Sequence, residues 1–230
     1  MPASNLIKGD QGKSASCPLP QLIIQKAPSF ALRLVKTNAI IRVPLVNAIS
    51  QIQDLFEQKG HLAYGEGVSE LQHALQAGYL AQKDNASDNQ ILAALLHDIG
   101  HLLHGLPEDV AEQGIDAHHE QIGEKWLKKW FGPEISQPVG LHVTAKRYQC
   151  TVQADYLEQL SPASAKSFIL QGGKMTEAET RAFEEDPFFN EALQLRTWDD
   201  HAKDREMKTP PLEHYLPLVQ VALVSEGSNQ

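Results

Sequence analysis

A histidine and an aspartate stand side by side in an apolar stretch of the chain. His97 and Asp98 lie within LAALLHDIGHLL, and His101 follows four residues after His97, on the same face of a helix. A carboxylate buried in such a helix is costly unless another group compensates its charge. A metal ion does so directly, because it keeps the carboxylate ionised and the imidazole neutral. The pair therefore predicts a buried metal site.

Side chains of the same two types recur on other predicted helices. These candidate ligands are His73, His119, His142 and Asp199. Metal sites in helical bundles take their ligands from facing helices. Four imidazoles and two carboxylates can hold two metals, and a set without thiolate suits iron or manganese and also permits zinc.

The other histidines receive less specific interpretations. His104 and His118 are interpreted as core residues hydrogen-bonded to carbonyl groups, because no ligand spacing recruits them. His61, His201 and His214 are expected to face solvent.

The elements that must position the candidate ligands are helical. Apolar residues recur at helix spacing, and strand-like alternation is scarce. The predicted start of the third helix has Asp88 as N-cap, and Thr176 with Glu179 forms a capping box ahead of a short helix. The pattern predicts an all-α fold with helices over residues 45–60, 66–83, 89–103, 118–131, 138–150, 187–203 and 212–224.

Composition excludes several classes of protein. Of 230 residues, 42% are hydrophobic and 21% charged, which is typical of a globular chain. The net charge of −9 argues against a nucleic-acid binder that depends on a basic face. No apolar run is long enough to cross a membrane, and two cysteines cannot form a disulfide framework. A cytoplasmic protein is expected.

The first part of the chain differs from the remainder in charge. From Gln11 to Gln53 there is no Asp or Glu. A basic segment of this kind can be a targeting sequence, a disordered extension or the product of a misplaced translation start. We therefore expect residues 1–45 to be an extension without chemistry, and residues 46–230 to form the functional domain.

Several motifs together resemble a known family. The pattern His73, His97-Asp98, Asp199 is that of the HD-domain superfamily. From Tyr64 to about Tyr215 the chain resembles the phosphonate-degrading HD-domain oxygenases. The matching stretches are GEGVSELQHALQ, AALLHDIGHLL, HHEQIGEKWL, GLHVTAKRYQC, YLEQLSPAS, LQGGKM, FEEDP and LRTWDD.

The resemblance implies a helical HD-domain bundle with a dinuclear metal site in its core. The cofactor would be a mixed-valent Fe(II)/Fe(III) pair, with dioxygen as co-substrate. One iron would be bound by His73, His97 and Asp199. The other would be bound by His119 and His142, with Asp98 as the bridge.

The resemblance also implies a substrate site. The family's substrate contacts fall on Lys146, Ser164, Gln171 and Arg196, with His101 nearby. An ammonium and a guanidinium both pair well with phosphoryl oxygens. The alternative for Lys146 and Arg196 is an ordinary surface salt bridge.

Two residues near the start of the matched region are expected at the site. Glu66 occupies the family position that meets the substrate's amino end, and its alternative is an acid favoured near a helix N-terminus. The family's iron-ligating tyrosine precedes that glutamate by three residues in one relative, whereas Tyr64 precedes Glu66 by two. Tyr64 would either ligate iron until substrate displaces it, or line the pocket, where its ring would suit a quaternary cation.

The implied activity is oxidative cleavage of the carbon–phosphorus bond of a 1-hydroxy-2-(trimethyl)aminoalkylphosphonate. It would release phosphate and glycine or glycine betaine, and an upstream hydroxylase would supply the substrate. One alternative is a metal-dependent HD phosphohydrolase acting on a nucleotide or another phosphate ester, which needs no dioxygen. Another is a degenerate HD module with a regulatory role, which the intact ligand positions disfavour.

Overall fold

The computed structural model describes residues 42–64, 67–106 and 113–223, so Glu66 and almost all of the predicted N-terminal extension lie outside the described residues. Within these ranges there is no strand, only an isolated β-bridge between Ala63 and Ser69. The predicted all-α fold is confirmed. The helices are α1 Arg42–Lys59, α2 Glu70–Lys83, α3 Asp88–Leu96, α4 Ile99–Leu103, α5 His119–Leu127, α6 Pro133–Val152, α7 Tyr156–Gln159, α8 Pro162–Leu170, α9 Glu177–Glu184, α10 Phe189–His201 and α11 Leu216–Ala222, with a 3₁₀ turn at Leu212–His214.

Five helices form the centre of the bundle in the described part of the chain. Helix α6 packs against α10, α5 and α3, and α2 packs against α3 and α10. The apolar side chains between them are almost completely buried; they include Leu92, Leu95, Leu96, Ile135 and Leu195. None of the helices in the described part of the chain combines the length and apolar character that a membrane span requires.

Serine side chains set the starts of two central helices. Ser69 accepts an N–H of the first turn and forms a capping box, so α2 begins at Glu70 rather than at the predicted Glu66. Ser87 likewise accepts an N–H of the first turn, so it, and not Asp88, is the N-cap of α3. In both cases a serine hydroxyl near the predicted start accepts the free N–H of the first turn, and the helix begins at the residue after that serine.

Two other helix starts test the sequence patterns. The predicted capping box of Thr176 and Glu179 is confirmed at the start of α9. Helix α6 begins at Pro133, and Pro138, the predicted first residue, lies inside the helix. Pro138 lacks the N–H that would bond to the carbonyl of Glu134, so the helix tolerates the loss of one internal bond.

The predicted single helix over residues 89–103 is two helices, divided at His97 and Asp98. Asp98 has φ −99° and ψ 14°, outside the α region, and this turn carries its carboxylate into the bundle. Immediately beyond, Gly100 lies against the start of α5: a Cβ there would lie 1.9 Å from the carbonyl oxygen of His119. Glycine at this position therefore permits α4 and α5 to approach closely enough to bring His119 beside Asp98.

Candidate metal centre

Three buried imidazoles are held by the main chain in the same way. Nδ1 of His73, His97 and His142 lies 2.8, 2.7 and 2.7 Å, respectively, from a main-chain carbonyl oxygen and donates to it. A ring that donates from Nδ1 directs its unprotonated Nε2 at a metal, and such bonds are the usual support of histidine ligands. The bundle therefore orients these three rings before any ion binds.

The Nε2 atoms meet in two pairs. His73 and His97 bring theirs within 3.0 Å, and so do His119 and His142. Two facing lone pairs at this distance repel each other unless a proton or a metal ion lies between them. Two imidazole nitrogens that bind one ion at about 2.1 Å and at right angles lie about 3.0 Å apart. The spacing of both pairs fits a shared metal.

The carboxylate of Asp98 lies between the two pairs. Its Oδ2 is 3.4 Å from Nε2 of His73 and 3.3 Å from Nε2 of His97, and its Oδ1 is 3.3 Å and 3.5 Å from Nε2 of His119 and His142. Oδ1 is buried and accepts no hydrogen bond of normal geometry from any described residue. Burial raises the pKa of Asp98, but in the absence of a metal the charge of a protonated His97 and hydrogen bonds from the neighbouring imidazoles hold it well below its usual range. An ionised carboxylate with one oxygen toward each pair can bridge two metals.

Asp199 and Tyr64 lie beside the pair formed by His73 and His97. Oδ1 of Asp199 lies 3.4 Å from Nε2 of His73 and 3.8 Å from Nε2 of His97. The Tyr64 hydroxyl lies 3.5 Å from the same Oδ1, and the Tyr64 ring stacks on His73 with centroids 3.8 Å apart. Tyr64 thus lies beside this pair despite its shifted spacing from Glu66.

The ligand atoms form two groups, each with its members within 4.8 Å of one another and all residues buried. One group is His73, His97 and Asp199, and the other is Asp98, His119 and His142. Nitrogen and oxygen donors of this kind suit iron, manganese or zinc. A metal would use the preformed ring orientations and would bind the Asp98 oxygen that has no hydrogen bond among the described residues, so these side chains fit a dinuclear site.

A cavity of about 190 Å³ opens beside the two groups. Every residue that was predicted to contact substrate or take part in catalysis, and that the structure describes, lines this cavity. Glu66 is not among the described residues. These lining residues are Tyr64, His101, Lys146, Ser164, Gln171 and Arg196.

Lys146 is a buried cation at this cavity. It is only 3% exposed, so the alternative of a surface salt bridge is wrong for this residue. Its ammonium donates to Oγ of Ser167 at 2.8 Å, and that hydroxyl donates to the carbonyl of Ser164 at 3.0 Å. Burial, aided by the charge of Arg196, lowers the pKa of Lys146 to about 7. A phosphoryl group would supply the counter-charge that this ammonium needs.

Arg196 is also buried and already has several partners. Its Nε donates to the Tyr156 hydroxyl at 3.0 Å and one terminal nitrogen donates to Oδ2 of Asp199 at 2.7 Å. The other terminal nitrogen donates to Oγ of Ser164 at 3.1 Å and to Asp200. These four bonds leave at most one of the five guanidinium N–H groups for a substrate oxygen. Arg196 therefore supports a candidate metal ligand as well as lining the cavity.

Two histidine interpretations need correction. His104 lies at the cavity with its Nε2 3.3 Å from Nδ1 of His101, so its partner is an imidazole and not a carbonyl. The His101 ring in turn stacks on His119 with centroids 4.1 Å apart. His118 is 58% exposed and pairs with Asp116 at 3.2 Å, so it is not a core residue.

The sequence patterns missed some members of the site. Ser167, Tyr156 and Asp200 contact the predicted substrate residues and were not singled out. Tyr156 lies in the matched stretch YLEQLSPAS, and Asp200 directly follows the candidate ligand Asp199. These positions weakly indicate that both residues lie near the site.

Comparisons with known proteins agree with this architecture. The HD domain family matches residues 71–195. The chain is 44% identical over 179 residues to the hydroxymethylphosphonate dioxygenase of Gimesia maris, which covers 76% of this chain and 88% of that protein. It is 35% identical over 175 residues to the [1-hydroxy-2-(trimethylamino)ethyl]phosphonate dioxygenase (glycine-betaine-forming) of Leisingera caerulea, covering 76% and 89%. An uncharacterized protein of Acanthamoeba polyphaga mimivirus is 36% identical over 189 residues, covering 80% and 85%.

The family match spans more than half of the chain, and each of the two dioxygenases is at least 35% identical over three-quarters of it. The chain therefore belongs to the HD-domain family, in agreement with the branch that contains the phosphonate dioxygenases.

Proposed function

We propose that this chain is a di-iron dioxygenase that cleaves the carbon–phosphorus bond of a hydroxyalkylphosphonate. The observation that carries the proposal is the carboxylate of Asp98, shared between two buried ligand groups beside a cavity that holds the buried cation of Lys146. Two relatives that match three-quarters of the chain bear the names of phosphonate dioxygenases.

The proposed cofactor is a mixed-valent Fe(II)/Fe(III) pair. His73, His97 and Asp199 would hold one iron, and His119 and His142 the other, with Asp98 as the bridge. Such a pair supplies redox chemistry with dioxygen when it is bound. The second ligand group supports two metals rather than one, because one metal would need only one of the two groups.

The residues around the cavity would bind and orient the substrate. The ammonium of Lys146 would neutralise phosphonate oxygens, and Ser164, Gln171 and His101 would offer polar contacts. Within the described part of the chain, the buried Oε1 of Gln171 has no hydrogen-bond partner, as expected of a group that binds a ligand. Fixing the substrate in one orientation is a large part of what a protein contributes to such a reaction.

The proposed reaction balances with one molecule of dioxygen. The carbon–phosphorus bond breaks, the hydroxyl-bearing carbon becomes a carboxylate, and phosphorus leaves as phosphate. The net change is one oxygen atom added to each fragment. Hydroxymethylphosphonate would give formate, and a trimethylamino substrate would give glycine betaine. A hydroxylation reaction upstream would have to supply any of these substrates from a simple phosphonate.

The substrate's substituent is the finer part of the proposal. We propose a 1-hydroxy-2-(trimethyl)aminoalkylphosphonate on the strength of the second named relative; Tyr64 lines the cavity, but one face of its ring is covered by His73 and the Lys203 ammonium lies 5.9 Å from the ring centroid. The relative with 44% identity carries the name of an enzyme for hydroxymethylphosphonate, which has no amine. The two substrates must therefore be compared directly.

The test is phosphate release by the iron-loaded full chain with and without dioxygen. We expect release only with dioxygen, at one dioxygen consumed for each phosphate, from 1-hydroxy-2-(trimethylamino)ethylphosphonate, its 2-amino analogue or hydroxymethylphosphonate. Two irons per chain by elemental analysis and an electron paramagnetic resonance signal of coupled Fe(II)/Fe(III) would support the cofactor. Equal release under argon would reject the oxygenase, whereas release of phosphate only from a nucleotide or another phosphate ester, with or without dioxygen, would favour the phosphohydrolase.

A further inference from the structure

The hydrogen bonds of His104 determine which of its nitrogens carries the proton. The main-chain N–H of Leu106 donates to Nδ1 of His104 at 3.3 Å. A nitrogen that accepts this bond cannot carry a proton itself, so the proton of the His104 ring is on Nε2. His104 is therefore a neutral imidazole that donates from Nε2.

The tautomer of His104 also determines the tautomer of His101. Nε2 of His104 lies 3.3 Å from Nδ1 of His101. Because His104 supplies the proton of this bond, Nδ1 of His101 must accept it. The proton of the His101 ring is then on Nε2, at the opposite edge of the ring.

His101 is held in place by a second contact. Its ring stacks on His119 at an interplanar angle of 16°, and it lines the cavity together with Lys146 and Ser164. We propose that His104 is a positioning residue, which fixes His101 in the tautomer that donates from Nε2 to an anionic oxygen in the cavity. The identity of that oxygen, a phosphonate oxygen of the substrate, rests on the proposed function; the tautomer does not.

The opposite tautomer would be unfavourable at this position. It would direct a lone pair, rather than an N–H, at a negatively charged oxygen. Hydrogen bonds to charged groups contribute more than neutral ones, so we expect about a tenfold difference in affinity or more between the two tautomers.

Two nearly isosteric substitutions separate the donor from the acceptor. His104→Gln can still accept from Leu106 and donate to His101 through its amide, whereas His104→Glu can only accept. Binding of methylphosphonate, which lacks the reacting hydroxyl, is measured by calorimetry with the iron-loaded full chain under argon. We expect the dissociation constant to change less than about threefold in the Gln variant and to rise about tenfold or more in the Glu variant.

The exposed His61, next to the cavity residue Leu62, is the matched control for charge. His61→Glu makes the same change in charge without a tautomer to alter, and we expect wild-type affinity. Equal losses in His104→Gln and His104→Glu, or equal losses in His61→Glu and His104→Glu, would overturn the proposal.

A direct readout does not require a variant to fold. In the zinc-loaded, ¹⁵N-histidine-labelled full chain, two-bond ¹H–¹⁵N spectra report which nitrogen of each ring is protonated. We expect His101 and His104 both protonated on Nε2; a proton on Nδ1 of His101 would overturn the proposal. A failure of the proposed function would instead appear as no phosphate release from any hydroxyphosphonate, while these tautomers remain measurable.

Discussion

Arg196 donates to the oxygen of Asp199 that faces away from the candidate metal. The bond to Oδ2 is 2.7 Å long, while Oδ1 lies 3.4 Å from Nε2 of His73. Outer partners of this kind orient metal ligands. The guanidinium therefore fixes which oxygen of Asp199 is presented to the first ligand group.

We predict that Arg196→Lys lowers both metal content and turnover. A lysine ammonium keeps the charge but cannot donate to Asp199, Asp200 and Ser164 at once. Loss of an outer partner costs about 10- to 100-fold in metal affinity or activity. Elemental analysis after dialysis, together with kcat and KM for phosphate release, measures the effect.

Arg147→Lys is the matched control for this substitution. Arg147 donates to Glu179 at 2.8 Å and to the carbonyl of Gly173 at 3.0 Å, outside the metal centre. We expect this variant to keep wild-type metal content and kcat. Wild-type metal content in Arg196→Lys would contradict the role assigned to Arg196.

Asp98→Asn is expected to remove both metals together. The substitution keeps the shape of the side chain but replaces a charged bridging oxygen by an amide nitrogen, which cannot ligate. Because one oxygen of Asp98 faces each histidine pair, the amide leaves one pair without an oxygen ligand and offers the other only a neutral carbonyl oxygen, so both ions lose the bridging charge. Titration of each variant with iron, followed by elemental analysis, gives the number of ions bound.

Asp116→Asn is the control for this loss of charge. Asp116 also lines the cavity, but it pairs with the exposed His118. We expect it to retain both metals. If Asp98→Asn retained one full equivalent of iron, the bridging role would be wrong and the two groups would bind independently.

Gly100→Ala is expected to destabilise the fold and to disturb the second ligand group. The new methyl group would lie 1.9 Å from the carbonyl oxygen of His119, so α4 and α5 must separate. Insertion of this kind costs about 1–3 kcal/mol of unfolding free energy. Urea denaturation measures it, and Gly105→Ala provides the control, because a Cβ there would meet no atom of the described residues within 4 Å apart from its chain neighbours. Equal stabilities of the two variants would contradict the prediction.

Much of the metal centre could be predicted because its signals are local. A buried carboxylate in an apolar helical stretch needs a partner that compensates its desolvation. The sequence around His97 and Asp98 therefore predicts a metal site without any knowledge of the fold. The all-α fold was likewise carried by helical periodicity and by a capping box such as that of Thr176.

What the sequence could not predict depends on contacts between distant segments. The sequence around Arg196 does not indicate that its guanidinium donates to Tyr156, forty residues earlier. This bond reduces the number of N–H groups that remain for a substrate. The division of residues 89–103 at Asp98 was missed because apolar periodicity continues through it. His104 was taken for a core residue because its partner, the Nδ1 of His101, depends on a turn that periodicity does not describe.

Substrate binding is expected to weaken as the pH rises through about 7 because of Lys146. Burial, together with the charge of Arg196, lowers the pKa of its ammonium to about 7, so the group is charged below that pH and neutral above it. Loss of the charge removes the attraction to a phosphonate, and KM should then rise by up to tenfold per pH unit, the limit for one linked proton.

Lys146→Arg separates this effect from the ionisation of the substrate itself. A guanidinium stays charged throughout the range, so its KM should stay level where the wild-type value rises, although its larger head group raises KM at every pH. KM for phosphate release is measured between pH 6 and pH 9 for both proteins with the same hydroxyphosphonate. Because the substrate ionises identically in the two series, only Lys146 can make the profiles diverge; parallel profiles would show that Lys146 stays charged or does not contact the phosphonate.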